Sequence, residues 1–501
     1  MDMDISMDWA TSVGWPKAMD DVDLLLQGLG PEGTFNAGLA VGPASTSSAF
    51  RTVPFDHTAT GRITELDDEA APSALAAETS GREGGTEHVR AALGLVGLPS
   101  RGNDVKNSMP PEPVGSRGPC MNCLALTVPV IRKLPCLRWI ITDSSLYREQ
   151  SKPYQLFSTR WQSMDLVDID TWASSEVRRI RLSQIYLDAP YEVEVREFVP
   201  VEGDMLEEKW TSNGVTRSHR IPRYALADME KSAAVLQAFI QDNIARYICG
   251  TVGQSDELIW QTYFFAFRHA QSAKTPTERE LVLNAFRFWV ACRKTSNPEH
   301  ILGDDKLGGE PVNDPSSVFY GRVPMPVIMI AQMECILYSR VLRPVHKKLL
   351  DQLNFLVKEN KRQYWLTLYL TLFILLHSCA MVSRRDWETA RQYNLRDEYC
   401  NHESISKHQS GVNVMLAHFH YLNKGVHPFR MTYDAAGLRK LSNAAELNDT
   451  QLAFVKLTSH LLREPSRVAE IASVRARRDF NHDLYWVAQL YEENWVPGPT
   501  A

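Results

Sequence analysis

One uninterrupted stretch, Tyr364 to Val382 (YWLTLYLTLFILLHSCAMV), constrains the fold more than any other part of the chain. A membrane span needs ~20 apolar residues, so its length alone fits a bilayer. Its content does not. Thr367, Thr371, His377 and Ser378 interrupt it, and Lys358, Lys361, Arg362, Arg384 and Arg385 flank it on both sides. A helix that is apolar all round without crossing a bilayer must sit at the centre of a large helical domain. The rest of the chain is therefore read for helices able to surround it.

They are present from about Pro222 onward. Between Tyr224 and Cys249 the apolar positions Leu226, Met229, Ala233, Leu236, Phe239, Ile240, Ile244, Tyr247 and Ile248 recur mostly at spacings of three and four. Such spacing marks one face of a helix. Similar patterns run over 256–270, 277–293, 326–352, 361–382 and 411–422, with shorter ones over 449–464 and 481–494. Thr277 with Glu280 reads as a capping box, and Asp449 or Thr450 as an N-cap. The expectation is an all-α domain over 222–496, without a fixed repeat.

The preceding stretch, 118–221, reads as a small cysteine-containing, β-rich module. Cys120 and Cys123 form a C-x2-C pair, and Cys136 follows a β-compatible run. Two thiolates in a tight turn suit tetrahedral zinc, although a closed site takes four ligands. The alternative is that Cys120 and Cys123 are free thiols in a turn and Cys136 a small core residue. Tyr191–Val199 alternates apolar and polar residues and Val177–Tyr186 does so imperfectly, which predicts an antiparallel pair turning at Asp188-Ala189-Pro190. Trp161 and Trp172 are expected to cover its apolar face. Arg178, Arg179 and Arg181 are candidates for phosphate contact, as are Arg132 and Lys133; a solvated strand edge is the alternative for the strand arginines.

Residues 1–117 are rich in Gly, Ala, Ser, Pro, Asp and Glu and poor in branched apolar runs. Such a segment cannot bury enough surface to offset the entropy of ordering, so a disordered acidic arm and linker is expected. Within the first thirty residues, acids alternate with Trp9, Trp15, Leu24, Leu25 and Leu26. That is the composition of a disordered activation segment, with an inert acidic tail as the other reading. The acidic start has no basic stretch followed by an apolar core, so no secretory leader is expected.

The formal net charge is -6, which argues against nucleic-acid binding by the whole surface and leaves only local basic patches. Eight cysteines in 501 residues, five of them scattered (Cys249, Cys292, Cys335, Cys379, Cys400), do not form a secreted disulfide framework. No G-x-S-x-G, P-loop or H-E-x-x-H motif is present, and no nucleophile is seen beside an orienting base. A non-catalytic protein is expected. Cys400, His402 and His408, with His418 and His420 nearby, hold metal-ligand residue types. However, positions i and i+2 point to different sides of a helix. Glu334 and Asp397 lack a visible acid–base partner.

The blocks PCMNC…LPCLRWIITDSSLYRE, TRW, DIDTW, EVRRIRLSQ, FVPVEGD, YGRVPMPVIM, YWLTLYLTLFILLHS, HFHYLNKG and DLYWVAQLYEENW, in this order, resemble fungal zinc-cluster (Zn2Cys6-type) transcription factor-like proteins. The resemblance covers roughly 118–496. It implies a mainly α, nuclear transcription regulator, with zinc as cofactor in members that keep the cluster and DNA and transcription-machinery proteins as partners. A complete binuclear cluster takes six cysteines in a compact run. This sequence offers Cys120, Cys123 and Cys136. DNA binding, direct or through a partner, is thus one expectation. The other is a helical interaction scaffold without the cluster.

Overall fold

The computed structural model describes residues 140–212, 215–252, 256–295, 298–393, 400, 402–423 and 426–498. The expected N-terminal arm, Cys120, Cys123, Cys136, Arg132 and Lys133 lie outside these residues, as does Asp397.

Two long strands, β1 (Trp172–Gln184) and β2 (Leu187–Phe198), pair antiparallel with Ile180 opposite Val193 and Leu182 opposite Tyr191. Successive side chains of a strand point to opposite faces. Ile180, Leu182, Tyr191, Val193 and Val195 therefore share one buried face. The turn falls at Ile185–Tyr186, not at Asp188-Ala189-Pro190, which belongs to β2. Proline has no N–H for a ladder, so it is confined to strand positions without a partner on that side. Pro190 meets this condition. On the far side of β2, β5 (Tyr224–Leu226) pairs only with Val195–Glu197. Trp161 is buried in the core, whereas Trp172 is half-buried and carries the Arg196 guanidinium 5.0 Å from its ring centre.

The expected boundary between a β-rich module and an all-α domain does not separate the sheet from the helices. The five-stranded sheet has the order β5-β2-β1-β6-β7, with β6 at Glu299–Leu302 and β7 at Val323–Pro324. Three of its strands thus come from beyond residue 222. They span two to four residues each, too few to show a period. A separate hairpin, β3 (Glu207–Ser212) and β4 (Val215–Arg220), flanks Asn213-Gly214 in the sequence.

Helix α1 (Met229–Asp242) begins at Asp228, whose carboxylate accepts the Lys231 N–H at 2.8 Å. It lays Leu236, Phe239 and Ile240 into the common core. A short helix α2 (Ile244–Tyr247) and a π-type turn lead to α3 (Glu257–Ser272) and α4 (Pro276–Lys294). The N-cap of α4 is Thr275, not Thr277. Its hydroxyl accepts the Glu278 N–H and donates to the Glu278 carboxylate, with Pro276 in the first turn where its missing N–H costs nothing.

The expected single helix over 326–352 is two: α5 (Val327–Ile336) and α6 (Arg343–Glu359), joined by a π-type turn at Leu337–Leu342. Pro344 supplies the reason, because a proline ring clashes with the carbonyl four residues earlier and a wide turn relieves the clash.

The long apolar stretch is in α7 (Trp365–Tyr393), and 94% of its most apolar window is covered by protein. Helices α3, α4, α8 (His402–Asn423) and α12 (Leu484–Val487) pack around it, α9 (Ala435–Ala445), α10 (Asp449–Arg463) and α11 (Pro465–Ala476) coming between α8 and α12 in the chain. Two of its polar positions, Thr367 and His377, find partners on other elements, whereas the buried Thr371 hydroxyl has none among the described residues. Thr367 donates to Glu278 and contacts His269 at 2.8 Å. The cap of α10 is Asn448, one residue before the expected Asp449, in a reciprocal box with Gln451.

Candidate functional site

The strand arginines come to three different settings. Arg178 is half-buried on the Ile180 side of β1, where its guanidinium pairs with Asp305 and donates to the Tyr224 hydroxyl at 3.1 Å. The Asp305 and Tyr224 contacts hold Arg178 above its ordinary value, the Tyr224 hydrogen bond first. Arg179 and Arg181 project to the outward face. There each lies directly across the ladder from a carboxylate, Glu194 and Glu192 respectively. Arg179 reaches Glu194 at 3.2 Å, and Lys231 bonds the same carboxylate at 2.6 Å. These two hydrogen bonds, Lys231 first, lower the Glu194 carboxyl. The Arg181 guanidinium packs beside Gly303, where an added Cβ would lie 3.3 Å from it. Opposite charges facing each other across a ladder stabilise the sheet and cancel much of the field that a phosphate would feel.

The His and Cys residues of α8 and its approach are not gathered together. Among the described residues no three His, Cys, Asp or Glu side chains form a metal-binding group. His408 is buried and burial pushes it down to about 4. His420 is pushed down to about 4 by burial as well, meets the Gln489 carbonyl at 2.8 Å, and stacks on Trp495. Cys400 donates towards the Asp386 carbonyl. Glu334 is not a solvated surface carboxylate. It is half-buried, accepts the Tyr154 N–H at 2.7 Å, and burial pushes it up to about 7.

Two polar constellations that sequence reasoning did not find are assembled by packing. In the first, Tyr263 of α3 meets His377 Nδ1 of α7 at 2.7 Å. His377 Nε2 lies 3.3 Å from Asp483, and Arg384 completes the set at 2.9 Å from the same carboxylate. Tyr263 is fully buried, and burial lifts its hydroxyl well above the phenol range. It therefore stays protonated and joins α3, α7 and the segment entering α12. In the second, Lys294 pairs with Glu299 beneath the Tyr191 ring, with both ionic side chains buried. No local pattern links Tyr263 to His377 or Lys294 to Tyr191; only separations of 114 and 103 residues closed by the fold do so.

A cleft of about 50 Å³ opens beside the end of α8, lined by His420, His427, Phe429, Arg430, Tyr491 and Trp495 among others. Arg430 and Glu493 pair at its rim. Its size suits a few waters rather than an extended ligand.

A family profile described as KpeA transcription factor matches residues 149–490. Among curated proteins, the satratoxin biosynthesis SC3 cluster transcription factor SAT20 of Stachybotrys chartarum is 21% identical over 314 residues, covering 60% of this chain and 42% of the relative. The chain thus spans less than half the length of that relative. No solved structure matches.

Proposed function

Since the chain belongs to the KpeA transcription factor family, we propose that it regulates transcription in the nucleus without catalysis, through its helical body, and is brought to DNA by a partner. The observation that carries this reading is where the family match lies. It covers the sheet and the helices around α7 and begins after Cys120, Cys123, Cys136, Arg132 and Lys133. The pairing of Arg178 and Arg179 with carboxylates supports it further, because phosphate contact by these residues would have to displace Asp305 and Glu194.

The reading predicts that the full chain, tethered to a foreign DNA-binding module, changes output from a reporter carrying that module's site. An unchanged reporter would count against it. The competing version is direct binding through zinc held by Cys120, Cys123 and Cys136. Metal analysis of the purified chain separates the two: zinc bound in stoichiometric amount and lost when Cys120 is changed favours direct binding, and zinc-free protein that retains reporter activity favours the partner. A salt titration adds a second check, since direct phosphate contact makes affinity fall steeply with ionic strength.

A further inference from the structure

The described chain enters the helical body through a segment that is threaded among helices rather than laid over them. Ile141, Leu146 and Tyr147 are buried, and Leu146 is fully so. The Tyr147 ring packs edge-on against Phe288 of α4 and His346 of α6, and lies 6.0 Å from Tyr338 in the π-type turn. At α8 the approach is closer still. A Cβ on Gly411 would lie 2.5 Å from the Ser145 carbonyl oxygen, so that helix position admits only glycine while the segment is in place.

Polar contacts then hold the outgoing end. Arg148 lies 3.5 Å from Asp386 of α7, Arg343 of α6 donates to the Gln150 carbonyl at 2.6 Å, and Glu334 of α5 accepts from Tyr154. Burial raises both acidic anchors, Asp386 to about 6 and Glu334 to about 7. The segment therefore combines a deep apolar anchor with two carboxylates held at a cost.

We propose that residues 141–154 form a strap that undocks from the helical body as a unit, without unfolding it. Backbone contact at Gly411, the aromatic seat of Tyr147 and the two acidic anchors make docking all-or-none. The strap rests on this geometry; only the signal it would relay rests on the regulator reading.

The test uses the full chain and two variants, Gly411→Ala and Tyr147→Ala. Alanine is the better helix former, so Gly411→Ala does not weaken α8 itself and acts on the strap. Limited trypsin digestion, read by mass spectrometry, reports cleavage after Arg148, and far-ultraviolet circular dichroism reports the helices. We expect cleavage there to be about tenfold faster or more in both variants, with the helical signal unchanged, as local opening requires. Cleavage at the wild-type rate in both variants overturns the proposal. So does faster cleavage that comes only with loss of helix, because the strap would then be an inseparable part of the core. The tethered reporter is scored separately, so failure of the regulator reading and failure of the strap are told apart.

Discussion

Helix α7 and the outward face of the β1–β2 pair are the two most strongly patterned parts of the molecule, and they solve opposite problems. In the apolar part of α7 nearly every side chain is covered, and its polar groups turn to the protein: Thr367 takes Glu278 and His269, and His377 takes Tyr263 and Asp483, while the Thr371 hydroxyl is left without a partner among the described residues. On the sheet face, Arg179, Arg181 and Glu192 stand in water, and the partly covered Glu194 takes both Arg179 across the ladder and Lys231 of α1. Where water is excluded, a missing partner costs the full desolvation of the group left behind; where water is present, solvent replaces the partner. The same contrast divides two of the ion pairs of the sheet region. Lys294 and Glu299 are nearly inaccessible, whereas the Arg179 side chain is 75% exposed.

The contrast should be largest in the core. Phe373→Ala in α7 removes a fully buried ring beside Tyr263 and Tyr369 and should cost about 3–5 kcal/mol, read as a lower urea midpoint. A cost near zero would mean that α7 is not the centre of the fold. Glu299→Ala strands the Lys294 ammonium and should also cost about 3–5 kcal/mol, while the double change Lys294→Met with Glu299→Leu should recover most of it. If the double variant is as unstable as the single one, the pair contributes more than its own neutralisation.

Glu334→Gln tests an intermediate case. A carboxyl raised on folding from 4.5 to about 7 binds its proton more tightly in the folded chain. It leaves stability unaffected below 4.5 and costs stability progressively as pH rises towards 7. Glutamine keeps an acceptor for the Tyr154 N–H, so the variant should be more stable than wild type by on the order of 1 kcal/mol at pH 8. At pH 4 the gain should vanish. An advantage that does not depend on pH would assign the effect to packing. The smallest effect is expected on the sheet face, where Arg179→Ala should leave the urea midpoint where it was. A large shift there would show that the outward ladder is not governed by solvent.

Much of the architecture could be read before the fold was known. The buried character of α7 followed from its all-round apolarity, its interrupting threonines and its basic flanks. Most helix cores followed from spacings of three and four, and β1 and β2 from alternation. Helix α11 was missed because only Val474 of its residues is buried, so no apolar stripe marks it. The β3–β4 hairpin carried a usable signal, Asn213-Gly214 between two strand-length runs. Caps slipped by one or two residues at Thr275 and Asn448, because several hydroxyl and amide side chains compete for one helix start and only the first turn's geometry selects among them.

The candidate sites were less legible. Arg178, Arg179 and Arg181 read as a basic cluster in the sequence, but alternation sends one inward and two outward, and the cross-strand register then sets Arg179 and Arg181 opposite acids. The register depends on β2 turning at Ile185–Tyr186, which the Pro190 signal concealed.

The sequence by itself determined where apolar surface must be hidden, because burial of that surface dominates folding and its period follows from local geometry. Only the tertiary structure decided which polar groups meet: Tyr263 with His377, Lys294 with Tyr191, Glu334 with the Tyr154 N–H. Each of these contacts joins elements more than a hundred residues apart in the chain, and each gains its strength from the low-dielectric interior that exists once the helices have packed.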